Sequence, residues 1–123
     1  MKVPVIHFDV YDEALTWEEF ELTDEDTGDP ILLTSDGTSG GVADKARATI
    51  FDPNGGNVLW TAQSDDVNAQ ISITPLSGKI QLMPDFSSAG PQSWPDGAKI
   101  KIDRLRNDGA VIPFARGTAK LNK

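Results

Sequence analysis

The sequence has no cysteine, a single histidine and no long apolar run. Without cysteine there is no disulfide framework, thiol nucleophile or zinc–cysteine site, and the redox compartment stays open. The one histidine, His7, falls in a strand-like stretch, and no G-x-S-x-G elbow supplies a nucleophile for it to activate. Neither G-x-x-x-x-G-K-[ST] nor G-x-G-x-x-G occurs, so nucleotide binding is unsupported. No stretch approaches the ~20 apolar residues of a membrane span. The opening "MKVPVIHFDVYDEALTW" lacks a signal-peptide core, because Pro4, His7, Asp9 and Asp12 interrupt it. These absences predict a protein that is not an enzyme, carries no cofactor and is made and used without Sec export or membrane contact.

Basic residues are scarce at one end only. Residues 1–40 hold eleven acids against Lys2 alone, whereas residues 41–123 hold eight acids against ten bases. The net charge of −8 disfavours nucleic acid as a partner, since phosphate backbones are repelled. The basic cluster Lys99, Lys101, Arg104 and Arg106 is instead suited to an acidic protein face. If copies pack side by side, the acidic first third against the basic last third is a natural pairing.

The length of 123 residues predicts one domain spanning 1–123. Eleven glycines and eight prolines are scattered as turn punctuation between short runs of alternating polarity. "VPVIHFDVY" reads as a strand with Val3, Val5, His7 and Asp9 opposing Ile6, Phe8 and Val10, and Pro4 marks it as an edge. "TWEEFELTD" continues with Phe20 and Leu22 inward, a pattern that outranks an acidic helix over 12–21. Further strands are expected at "ILLTS" (31–35), "KARATIFDP" with Ala46, Ala48 and Ile50 inward, "NVLWTAQ", "AQISITP" and "KIQLMP". The stretch 85–98 reads as a loop with a turn of helix near 87–90. Residues 98–121 form a closing hairpin turned at Asn107-Asp108-Gly109, and a slip in apolar phase after Ile102 predicts a bulge near Asp103. About eight short strands with glycine-rich turns predict an all-β antiparallel sandwich, with a barrel as the alternative.

Two features remain as candidate sites. In "LTDEDTGDPILLTS", Asp24, Asp26 and Asp29 around Gly28 resemble the start of a calcium loop, yet Pro30-Ile31-Leu32 stands where a closing Glu would be, which favours a capped acidic turn. Among the tryptophans, Trp60 belongs to an apolar strand and is expected in the core. Trp94, flanked by Pro91 and Pro95, is the candidate contact residue.

The order of "WEEFELTDEDTGDPILLTS", "ARATIFDPNGGNVLW" and "SGKIQLMPDFSSAGPQSWPDGAKIKIDRLRNDGAVIPFARGTAKL" resembles the small β-sandwich proteins encoded among the tail genes of tailed bacteriophages. It is also similar to the N-terminal domain of the baseplate upper protein of lactococcal-type phages. The matching positions are Gly28, Pro30, Ile31 and Leu33; Asp52, Gly55 and Val58; Gly78, Ile80 and Leu82; Pro95 and Gly97; and Asp108, Gly109 and Gly117. The resemblance covers about residues 5–121; the stretch "SDGTSGGVADK" is an insertion relative to it, and Leu121 replaces a closing valine. It implies an immunoglobulin-like sandwich in the virion, assembled in the host cytoplasm, that connects or anchors fibre or receptor-binding proteins. Its partners would be other virion proteins and copies of itself, with Val3, Val5, Trp94, Arg104 and Arg106 as contact residues. Deleting residues 1–10 is then expected to block incorporation while leaving the core folded. The alternatives are a capsid decoration protein, and a carbohydrate-binding module in which Trp94 and Tyr11 stack on sugars.

Overall fold

The computed structural model describes residues 3–123. Eight strands follow one another: β1 (Val5–Tyr11), β2 (Glu18–Glu21), β3 (Lys45–Phe51), β4 (Val58–Gln63), β5 (Ile71–Thr74), β6 (Lys79–Leu82), β7 (Lys99–Leu105) and β8 (Val111–Asn122). They form a five-stranded sheet in the order β1-β8-β7-β3-β4 and a three-stranded sheet in the order β2-β6-β5. Both sheets stay open, so the fold is an immunoglobulin-like sandwich and not a closed barrel. No helix among the described residues is long and apolar enough to cross a membrane.

Alternation builds the core. Ala46, Ala48 and Ile50 of β3, Ile100 and Ile102 of β7, and Phe8 and Val10 of β1 are buried from the large sheet. They meet Leu22, Ile71, Ile80, Leu82 and Leu33 from the other layer. Phe8 and Phe20 pack edge to face at 6.1 Å between the sheets. Trp60 is buried as expected, and its indole N–H donates to Gln70 Oε1 at 2.9 Å.

Three expectations need correction. The sandwich is not wholly antiparallel, because β1 runs parallel to β8 from Val5↔Arg116 to Tyr11↔Asn122. Residues 31–35 form no strand, since their backbone partners are dispersed: Ile31 N bonds Leu22 O, Leu33 N bonds Pro75 O and Ser35 N bonds Val42 O. A ladder needs one partner strand, and this stretch has several. Residues 87–90 make a turn nucleated by the Asp85 carboxylate, which accepts from Ser87 N at 3.0 Å; the helical turn lies instead at Pro75–Ser77. The bulge expected near Asp103 is present, as a register shift between Ile102 and Asp103 whose extra residue is Phe114 of β8. β7 therefore keeps its phase, with Arg104 inward and Leu105 outward.

Gly117 explains how the parallel seam closes. It pairs with Ile6 on one side and Ile100 on the other, and a Cβ there would collide with the Ile6 backbone carbonyl. Only glycine lets β1 approach β8 at this point.

Candidate functional site

β1 is an edge, as Pro4 indicated: it pairs with β8 alone. Arg116 N donates to Pro4 O and Asp12 N to Asn122 O, so the even-numbered residues of β1 face β8. By the alternation of a parallel pair, the amides of Val5, His7 and Asp9 point away from the sheet. The Tyr11 amide is taken by Thr16 Oγ1 at 2.9 Å. Val5 is 87% exposed and Val3 is 38% exposed, so the open edge begins with apolar side chains in water. Removing this edge would not leave the core intact. Phe8 and Val10 are completely buried, so deleting residues 1–10 would take out part of the core along with the edge, contrary to the expectation of a clean truncation.

Across the seam, His7 ties β1 to β8. Its Nδ1 lies 2.8 Å from Thr118 Oγ1 and its Nε2 3.1 Å from Asp9 Oδ1. The Asn122 amide also donates to Asp9 at 3.1 Å, and that bond, followed by His7, holds the Asp9 carboxyl below its ordinary value. Glu18 of β2 lies beside this group; partial burial, then repulsion from Asp9, raises its carboxyl above the ordinary value. Thr118 thus meets the neighbouring His7 and Asp9 although it stands far from them in the sequence, a contact that spacing alone does not reveal. His7 and Thr118 line a cleft of about 320 Å³ whose opposite wall is Trp94 and the segment Pro95, Asp96 and Gly97. Trp94 is half-buried and packs edge-on to Phe86 at 6.1 Å, so it is at once a lid on the core and a wall of this cleft. Tyr11 is 52% exposed but does not line it.

The acidic stretch 24–29 is a turn that caps itself. Asp24 Oδ1 accepts from Asp26 N at 2.8 Å and Thr27 N at 3.1 Å, Thr27 Oγ1 accepts from Asp29 N at 3.2 Å, and Asp24 N returns to Asp29 O. Gly28, at φ 76, completes it. Among the described residues no three histidine or carboxylate side chains are grouped closely enough to hold a metal ion, and the Asp24 carboxylate is occupied by the turn's own amides. Glu21, Asp24, Glu25 and Asp26 line an open groove of about 650 Å³ that reaches Pro4 at the start of β1.

Arg104 is not a contact residue. Its inward position buries it against Asp44, whose Oδ2 accepts from Nε at 2.9 Å and from Nη2 at 2.7 Å. Arg106 stays at the closing turn, paired with Asp108 at 2.9 Å. Sequence reasoning missed the arginines that do lie outside. The buried Asp103 carboxylate sits on the outer side of β7 and holds Arg116 at 2.7 Å and Arg47 at 3.8 Å. Part of the signal was present in "KARA" and "KIKI", where the alternating polar positions are basic; Arg116 of β8 carried no such pattern.

No known protein family matches the chain, and no curated protein matches it.

Proposed function

We propose that this protein is a non-enzymatic structural component of a tailed-phage virion, a small tail or baseplate module that joins fibre or receptor-binding proteins by protein–protein contacts. The resemblance in the order of its motifs supports the reading, and the immunoglobulin-like sandwich suits it. The observation that carries it is the open β1 edge, with outward amides at Val5, His7 and Asp9 and an 87% exposed Val5. An unpaired edge offers a ready row of main-chain donors and acceptors to a partner strand, and β-augmentation gives affinity without a deep pocket.

Val5→Pro tests this. The Val5 N–H has no partner among the described residues, so proline there removes a donor that their fold does not use and obstructs an incoming strand. The variant is expected to melt near the wild-type temperature and to be missing from purified particles when they are analysed by mass spectrometry. A folded variant present at wild-type copy number would overturn the edge-docking function.

A further inference from the structure

The outer face of the five-stranded sheet is basic, although the chain as a whole carries −8. Register places the side chains in rows. Val5, Arg116, Lys101, Thr49 and Thr61 run across one, and His7, Thr118, Lys99, Phe51 and Val58 across the next. Lys120, Arg47 and Lys45 extend the same face, on which Asp9 and Asp103 are the only strand carboxylates. Asp103 pins Arg116 and Arg47 near the centre, while Lys99, Lys101 and Lys120 make no ion pair among the described residues. The other layer has the opposite sign. Glu21, Asp24, Glu25, Asp26 and Asp29, on β2 and the turn that follows it, likewise have no cation paired to them among the described residues.

We propose that the basic outer face of the five-stranded sheet docks the acidic 24–29 end of a second copy, joining copies head to tail. Charge complementarity carries this assignment. Each patch repels its own duplicate, which disfavours a two-fold contact, and the two patches lie on opposite layers of the sandwich, which is the arrangement a heterologous contact needs. The 24–29 turn is already closed by its own hydrogen bonds, so docking it costs little ordering. A nucleic-acid strand fits less well, because the net charge repels it at a distance and two of the face's arginines are engaged by Asp103. The proposal rests on the reading of the chain as an assembly module but not on the β1 edge. An assay of the purified chain alone therefore fails or succeeds independently of the Val5→Pro particle assay.

The test is sedimentation velocity of the purified chain over rising concentration, at ~0.1 M salt, where charges act across about 10 Å, and at ~1 M, where they act across about 3 Å. The wild type is expected to associate at the lower salt and to return to monomer at the higher. Two charge-reversed variants, K99E/K120E on the face and E25K/D26K on the turn, alter side chains with no ion pair and should fold, as circular dichroism would check. Each alone is expected to lose most of its association, and an equimolar mixture to regain it. A wild type that stays monomeric, or association unchanged by the reversals, would overturn the proposal. So would a monomer that binds single-stranded DNA in an anisotropy titration, which would hand the basic face to a polyanion.

Discussion

Arg104 carries a full charge into the interior, and its neighbour Asp103 carries one on the opposite side of the same strand; each survives because a partner was brought to it. Arginine is buried only when paired, and the Asp44 carboxylate that pairs it comes from a segment sixty residues away. Removing one partner leaves the other uncompensated, so Asp44→Ala should cost about 3–5 kcal/mol in urea unfolding, whereas Asp44→Leu with Arg104→Met should recover most of that loss. A double variant no more stable than the single one would show that the pair contributes no such penalty. Glu18 makes a second residue-level case. Partial burial, then Asp9, raises its folded carboxyl above the ordinary 4.5, so the folded state binds that proton more tightly than the unfolded chain. Its stabilising contribution is complete below the ordinary value and is lost as pH rises through the raised one. Glu18→Gln should therefore stabilise the protein at neutral pH, with the gain shrinking to nothing in acid; a gain that instead grew toward low pH would contradict burial and Asp9 as the cause of the shift.

Among the elements, β1 has two jobs that pull in different directions. Its inward residues Phe8 and Val10 belong to the core, yet its outer edge is unpaired. The seam with β8 settles the conflict by giving the strand one firm partner, and it depends on Gly117 having no side chain. Gly117→Ala is expected to cost about 3 kcal/mol or more, and hydrogen exchange should show faster opening at β1 than elsewhere. Wild-type protection at β1 in that variant would mean the backbone shifts to admit the methyl group. The Val5→Pro experiment belongs to this scale too, because it separates the edge from the core role of the same strand. β8 supplies the complementary lesson: its extra residue, Phe114, lets Phe114 and Ala115 both turn inward, and the hairpin bends at the place where the apolar pattern falters.

For the whole molecule, two layers of opposite surface charge enclose one core, and that polarity is what the proposed head-to-tail association would use. Much of this was legible beforehand. Alternation at Ala46, Ala48 and Ile50, the turns at Asn54-Gly55 and Asn107-Asp108-Gly109, the edge marked by Pro4 and the self-capping acidic turn follow from local backbone preferences and from the two-residue period of a strand. The sequence by itself determined a cysteine-free, all-β chain of about eight strands with an acidic first third. Tertiary structure alone decided that β1 runs parallel to β8, that residues 31–35 divide their hydrogen bonds instead of forming a strand, that Arg104 points inward while Arg47 and Arg116 converge on Asp103, and that His7 meets Thr118. The physical reason is the same each time. Local propensity specifies which face of an element is apolar, but the partner of a charge, an amide or a glycine comes from a segment distant in sequence, and only the packing of the two sheets selects it.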